Sequence, residues 1–524
     1  MGATAQQSSG FGMGVLAVGL MATWIALGLI GHEPWKPDEA YTFGLVWHIL
    51  ERGEGLVPTL GGVPFVEKPP LFFWTAAVFA KAFAWALPVH DAARLAAGFY
   101  VALTLWFTYL AAGRRIAAAV LLAGCLGYLQ HAHQLVTDNA LLAGIAIGVY
   151  GLARSNGLML GTGAGIAFLA KGLLGPGMLA LSALALFAFP GWRTRRYAIS
   201  LAWALLAFLP WALIWPTLLY LRSRALFHEW FWVNNFGRFS GSAGLGGVLD
   251  HWLYLKALLW FALPALPLAA WTVWRAARTG GWREPEIQMP LAVFVLMLAV
   301  LSAASSARTI YGLPMLVPLA ILGALALDDL PGRFRAAMEH VGFWLGAAGV
   351  IVLWGAWLVL LVAWPATLAA RLAAQSPAYV PHIAAVPSLF AVAVTFGWLF
   401  VVLITSRDAL RMPIVWTAGI TVAWGLAMTL WLPFLDDAKS YRLVASAIQG
   451  HVPADACVAG QDLTEPQRAV FHYYNGVIAG RDCPMLLVHT SSFEAPTPGR
   501  GWTLVWRGTR PGDEKEFFWL FSAR

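Results

Sequence analysis

The chain is short of charge. Only 11% of its 524 residues are Asp, Glu, Lys or Arg, while 60% are hydrophobic. A soluble domain carries roughly 25% charge, so this chain has too little polar surface to cover a globule in water. That deficit excludes an ordinary soluble protein and leaves an integral membrane protein. Cysteine is scarce as well, with three residues, which excludes a densely disulfide-stapled secreted scaffold. No Lys or Arg precedes the first apolar run, 11–31, and no clear small-residue cleavage pattern accompanies it. That run is therefore expected to be an uncleaved anchor rather than a signal peptide. No P-loop, GxGxxG, HExxH or GxSxG motif occurs in its required context, so nucleotide-driven and serine-hydrolase chemistry have no support. No internal repeat or low-complexity segment stands out. The net charge of +8 would suit nucleic acid, but the basic residues are spread between apolar runs rather than gathered in one patch. No nucleic-acid partner is expected.

What is abundant is greasy and aromatic. The 28 tryptophans suit a chain that repeatedly crosses the boundary between hydrocarbon and headgroups. Apolar runs at 11–31, 92–112, 116–136, 138–153, 157–172, 174–190, 197–218, 252–275, 289–306, 311–328, 341–364, 387–405 and 413–433 predict about thirteen membrane helices, some of them short. The apolar segment 70–88 sets the topology. Read as a juxtamembrane or re-entrant helix opened by prolines, it leaves Arg114/Arg115, Arg154, Arg193/Arg195/Arg196, Arg275/Arg278/Arg283, Arg333/Arg335 and Arg407/Arg411 on one face. The positive-inside rule makes that face cytoplasmic. Loops 32–91, 219–251, 303–310 and 365–386 then lie on the outer face, in the plasma membrane of the cell. The expected fold is an α-helical polytopic membrane protein. A transmembrane domain at 1–436 would be followed by a small soluble extracytoplasmic α/β domain at 437–524. The tail earns that reading from alternating stretches such as "PMLLVHT" and "FFWLFSAR", with helix-like "EPQRAVFHYYN" between them.

The charges that remain are placed at the outer face. Asp38 and Glu39 sit in "WKPDEAYTFG", and Glu67 and Lys68 in "VEKPPL". Asp138 opens a span in "TDNALLAG", Lys171 sits in "AKGLLGPG", Arg238 in "NNFGRF", and Arg308 and Tyr311 in "ARTIYGLP". An ionisable group at the edge of a span is costly unless paired or used. Prolines stiffen the backbone behind Lys68, and a fixed cation near a bilayer surface suits a phosphate. Acids facing several cations at the lipid edge suit an anionic lipid and a base. Each residue also has a plainer role: solvated loop charges for Asp38 and Glu39, a helix N-cap for Asp138, an ion pair for Glu67 and Lys68, and snorkelling for Lys171. His131 and His133, two apart, face different sides of a helix and do not suggest a shared metal. Cys125 reads as a core residue. Cys457 and Cys483 in the tail leave both a disulfide and two free thiols open.

Taken together, the acidic pair, "EKPPL", "TDNALLAG", "AKG" and "RTIYGLP" resemble the GT-C membrane glycosyltransferases over roughly residues 11–330. The resemblance is greatest to the branch that holds the aminoarabinose transferases of lipid A and the protein O-mannosyltransferases. It implies an inverting transfer from a polyprenyl-phosphate sugar to a lipid, glycan or protein acceptor of the cell envelope, such as lipopolysaccharide, at a periplasmic active site. It also implies roles: Asp38 as base, with Glu39 and Asp138 in the catalytic group, and Lys68, Arg238 and Arg308 on the donor phosphate. Glu67, Lys171 and Tyr311 would support them. No cofactor is required by these residues, and a divalent metal is left open with Asp38 and Glu39 as its ligands. The sequence differs from the aminoarabinose branch at "DEAYTFG", which lacks a following arginine, and at "NNFGRF", which lacks an acidic-His pair. A transporter or flippase of a lipid-linked or anionic substrate is the alternative from another class, and a membrane scaffold is a third. The one-sided charge cluster and the absence of repeated halves favour the transferase over both.

Overall fold

The structure is a computed structural model. It describes residues 2–244, 250–499, 501–513 and 515–523, with side chains from residue 12 onward. Residues 245–249 of the expected outer loop lie outside the described residues.

Among the described residues, six helices are long and apolar enough to cross a membrane, or eight if two bent pairs each count as one span. Shorter apolar helices at 12–26, 71–83, 157–171 and 174–188 run with them. The expected run of about thirteen spans, some of them short, thus divides between long helices and shorter ones. A 15-residue helix reaches only about 23 Å, less than the ~30 Å hydrocarbon core. The expected span 116–136 is two short helices, Ile116–Ala123 and Leu126–Ala132. Between them the Gly124 carbonyl accepts a hydrogen bond from the Trp416 indole at 3.0 Å, which satisfies backbone that a straight helix would have paired internally. The segment expected to lie in the interface forms the 13-residue helix Leu71–Phe83, too short to cross alone.

One helical pair positions much of the site. Helix Asp138–Arg154 carries its acid in the first turn and its base in the last, matching the helix dipole. After a two-residue turn, helix Gly157–Lys171 starts where the Asn156 side chain accepts from the Met159 amide at 3.1 Å, an N-cap. The two run antiparallel along a seam of small residues. A Cβ on Gly163 would lie 2.4 Å from the Gly148 nitrogen, and one on Gly144 would lie 2.6 Å from the Ala167 nitrogen. Only glycine permits that approach. The start of one helix is thereby brought beside the end of the other, so Asp138 meets Lys171.

The tail forms a mixed five-stranded sheet. A two-stranded hairpin, β1 (Thr59–Leu60) and β2 (Val63–Pro64), comes earlier in the chain. The sheet is built from β3 (Val458–Gln461), β4 (Ile478–Ala479), β5 (Met485–Thr490), β6 (Trp502–Thr509) and β7 (Phe517–Ala523), in the order β4-β3-β5-β7-β6. The β3 strand pairs parallel with β4 and β5, and β7 pairs antiparallel with β5 and β6. Helix Glu465–Asn475, opened by a capping box between Thr464 and Gln467, packs on helix Asp38–Arg52. The approach is close: a Cβ on Gly44 would lie 2.4 Å from that of Ala469. Tyr473 stacks edge-on against Phe43 and Trp47. Lys36 reaches Asp513 and Glu516 at 2.6 and 3.2 Å, and Arg442 reaches Glu33 at 3.0 Å. The sheet domain therefore rests on the loop that carries Asp38 and Lys68.

Candidate active site

Helix Asp38–Arg52 separates the two neighbouring acids. Consecutive residues on a helix point about 100° apart, and they meet different surroundings here. Asp38 pairs with Arg308 at 3.0 Å. Glu39 turns inward, is 2% exposed, and accepts from Arg94 Nε at 2.6 Å, the Leu135 amide at 3.1 Å and the Trp35 amide at 3.2 Å. Arg94 also holds Asp91 at 2.5 Å. The two acids expected to act together therefore have different partners: Glu39 lies in a buried network with Arg94 and Asp91, and Asp38 pairs with Arg308. Among the described residues no three His, Cys, Asp or Glu side chains are grouped as a metal site requires.

The cations gather around Asp38. Burial disfavours its ionised form, but Lys68, Arg308 and Lys171 outweigh that and hold its carboxyl below the usual range. Lys68 donates to the Tyr41 hydroxyl and lies 3.9 Å from Glu67. Burial opposes its charge, yet Tyr41, Glu67, Asp38 and Asp138 raise its pKa above the usual value, so it stays an ammonium. Glu67 also pairs with Arg238 at 2.8 Å. Lys171 pairs with Asp138, and its ammonium stands 4.3 Å from the centre of the Tyr311 ring.

Arg238 follows a π-helical stretch, Glu229–Gly237, a local form found often at functional sites. Within it Asn235 accepts from the Leu173 amide at 3.0 Å and donates to the Trp230 carbonyl at 2.7 Å. The intervening Gly172 has φ +81°, and a Cβ there would lie 2.2 Å from the Asn235 carbonyl oxygen. The "AKG" motif thus has a mechanical meaning: Asn235 clamps the turn that ends the helix and aims Lys171.

A cavity of about 280 Å³ opens beside these groups. Glu67, Lys68, Lys171, Arg238 and Tyr311 form its polar end, and Leu141, Met178, Leu301 and Phe239 are among its apolar walls. Asp38, Asp138 and Arg308 stand behind that lining, tied to it through their charge partners. Four cations, Lys68, Lys171, Arg238 and Arg308, face three carboxylates, Asp38, Glu67 and Asp138, a surplus of one positive charge. A phosphodiester monoanion would balance it, and its apolar tail would have a greasy wall to follow.

No protein-family model matches the chain. Over 357 residues it is 28% identical to the undecaprenyl phosphate-alpha-4-amino-4-deoxy-L-arabinose arabinosyl transferase of Pectobacterium carotovorum, covering 63% of this chain and 61% of that one. The match to the corresponding transferase 1 of Sodalis glossinidius is 28% over 355 residues, with the same coverage. The chain thus spans about three fifths of these curated relatives, 61% in each case. Across nearly its whole length it superposes on the crystal structure of ArnT from Cupriavidus metallidurans bound to undecaprenyl phosphate, with TM-score 0.70, 17% identity and 97% of each chain covered. The apo form of the same protein gives 0.71 with 98% of each chain. The chain carries the ArnT fold. It is a multi-pass membrane protein of that architecture, helical through the membrane and closed by the mixed-sheet domain.

Sequence reasoning missed four residues around this site. Tyr41 lies three residues after Asp38 on the same helix face, a spacing that could have flagged it. Arg94 sits inside an apolar run, where a lone arginine implies a buried acid. Asn235 gave no signal before its contact with the Leu173 amide was seen. Glu465, at the start of the tail helix, is near enough to Glu67, Lys68 and Arg238 to feel their charges. Burial and Glu67 raise its carboxyl pKa against the pull of Arg468, Lys68 and Arg238. Cys457 and Cys483, whose state the sequence left open, are joined as a disulfide with Cα atoms 5.4 Å apart.

Proposed function

We propose that this protein is a membrane glycosyltransferase. It moves a sugar from an undecaprenyl-phosphate-linked donor to a lipid, glycan or protein acceptor at the extracytoplasmic face, with inversion at the anomeric carbon. The observation that carries this reading is the cluster of four cations and three carboxylates, of which Lys68, Lys171, Arg238 and Glu67 line the polar end of an apolar-walled cavity and the rest are paired behind it. The ArnT fold and the names of the sequence relatives support it, and they make undecaprenyl phosphate-alpha-4-amino-4-deoxy-L-arabinose the first donor to try. The outward orientation rests on the arginine-rich opposite face, and the tail from 437 onward then caps the site from outside.

Lys68, Arg238 and Lys171 would hold the donor phosphate, with Arg308 shared between it and Asp38. Asp38 would take the proton from the acceptor hydroxyl as that oxygen attacks the anomeric carbon from the face opposite the phosphate. The bond between the anomeric carbon and the phosphate oxygen breaks, and its electron pair leaves on polyprenyl phosphate. The cations stabilise the charge that grows on the leaving group. Before donor binding the same cations make Asp38 a weak base. A phosphate that takes a share of Arg308 and Lys68 releases part of that hold and makes Asp38 a stronger one.

The test is transfer by the purified protein from that donor to an extracted envelope lipid fraction. Asp38→Asn, normally folded, should lower kcat by roughly 10²- to 10⁴-fold, the usual worth of a positioned base. Full activity in that variant would sink the assignment. Mass spectrometry of copurifying lipids, wild type beside Lys68→Ala, should show a polyprenyl phosphate lost in the variant.

A further inference from the structure

A second, larger cavity lies at the far ends of the helices that hold Asp138 and Lys171. Its volume is about 870 Å³, within the range of ligand sites. Arg154, Arg195 and Arg196 line it, with Tyr150, Asn156 and Trp203. Helix Asp138–Arg154 runs from the candidate active site at one end to this cavity at the other, and helix Gly157–Lys171 returns. The 17 residues of the first helix place the two sites about 25 Å apart, on opposite faces of the protein.

Several other basic side chains of this face are paired. Arg115 pairs with Asp328 at 2.7 Å, Arg411 with Glu339 at 2.6 Å, and Arg275 with Asp329. Arg193 caps the Phe187 and Ala188 carbonyls at 2.8 and 3.1 Å. Arg154, Arg195 and Arg196 have no such partner among the described residues. The three guanidiniums are exposed and repel one another only weakly through water, and an anion among them would relieve that repulsion. The first turns of helices Gly157–Lys171 and Arg195–Arg222 open to the same cavity, adding two positive dipole ends.

The surroundings are those of a lipid boundary. Helix Arg195–Arg222 has only 17% of its apolar window buried. Ile199, Trp203, Leu206 and Leu213 are 46%, 53%, 55% and 55% exposed. Their spacing puts them on one stripe that starts at the cavity and runs toward the membrane centre. Cation, aromatic rim and apolar stripe follow one another in the order of a phospholipid's headgroup, glycerol backbone and chains.

We propose that this cavity binds the headgroup of an anionic phospholipid, with its phosphate among Arg154, Arg195 and Arg196 and its chains along the exposed stripe. It is separate from the transferase site. Native mass spectrometry of the full chain, titrated with phosphatidylglycerol, phosphatidylcholine or inorganic phosphate, tests it without reference to transfer. Phosphatidylglycerol should be retained and phosphatidylcholine should not, and inorganic phosphate should fail to displace the lipid. The variant Arg154→Gln/Arg195→Gln/Arg196→Gln should bind phosphatidylglycerol roughly 100-fold more weakly, since each arginine near the surface is worth about a factor of five. A control that removes three charges elsewhere, Arg222→Gln/Arg224→Gln/Arg371→Gln, should bind as wild type. If the triple variant does not fold, Arg154→Gln alone should lose about fivefold. Unchanged retention in the cavity variants, equal loss in the control, or displacement by inorganic phosphate alone would each overturn the proposal.

Discussion

Glu39→Gln separates a structural carboxylate from a catalytic one. The wild-type carboxylate accepts three hydrogen bonds, from Arg94 Nε, the Leu135 amide and the Trp35 amide. A glutamine has one oxygen. Turned toward Arg94 and Leu135, it presents its own NH₂ to the Trp35 amide, donor against donor. One buried backbone N–H is then stranded, at about 1–3 kcal/mol, and the bond from Arg94 loses its charge-assisted part. Arg94 keeps Asp91 at 2.5 Å, so no buried charge is left alone. Arg94→Met is harsher: it leaves Glu39 and Asp91 uncompensated, at about 3–5 kcal/mol. The two costs should not add. With the arginine gone, neutralising Glu39 relieves part of the damage, a coupling of about 1–3 kcal/mol. Thermal midpoints of detergent-solubilised protein, followed by size-exclusion fluorescence for both single variants and the double, read that coupling as a sign. The folded fraction of Glu39→Gln should keep kcat within about threefold, against the loss of 10² or more expected of Asp38→Asn. Strictly additive midpoints, or a folded Glu39→Gln as inactive as Asp38→Asn, would refute the structural assignment.

Four other outcomes follow. Gly172→Ala forces a side chain onto φ +81° and against Asn235, at about 1–3 kcal/mol. Because the clamp aims Lys171, transfer should fall more than the thermal midpoint does. Loss of stability with unchanged kcat would contradict that link. Asp38 has a lowered folded pKa, so its pairing stabilises the protein above the unfolded value of about 3.9 and is lost only as pH falls through the folded one. The acid limb of kcat/KM should therefore lie below that value in the free enzyme and move upward in Arg308→Gln; an unmoved limb would detach Asp38 from it. Cys457 and Cys483 are 26 positions apart, and closing such a loop is worth about 3 kcal/mol. Nonreducing peptide mapping of protein from whole cells should find the bridge, and Cys457→Ser should lower the domain's melting midpoint. A reporter after residue 434 should be extracytoplasmic in the same cells, and a cytoplasmic signal there would reverse the orientation.

The chain's membrane class was legible because it is a property of composition: too few charges to cover a globule leave no other solvent. The tail's strands were legible because period-two alternation is local. Lys68, Lys171, Arg238 and Arg308 stood out because a charge next to an apolar run is expensive wherever the chain goes. What the sequence could not decide is which of these groups meet. Asp38 and Arg308 are 270 residues apart, and Glu39 is adjacent to Asp38 yet faces Arg94. One step along a helix rotates a side chain by about 100°, and only the packing on either side says which direction is solvent and which is core. The break at Gly124 needs a tryptophan from 292 residues away, and the aim of Lys171 needs Asn235 from beyond the next span. Arg154, Arg195 and Arg196 of the opposite face come together around one cavity only in the fold. Local chemistry fixes what each residue needs, and tertiary packing decides which need is met, because the partners come from segments that share no sequence neighbourhood.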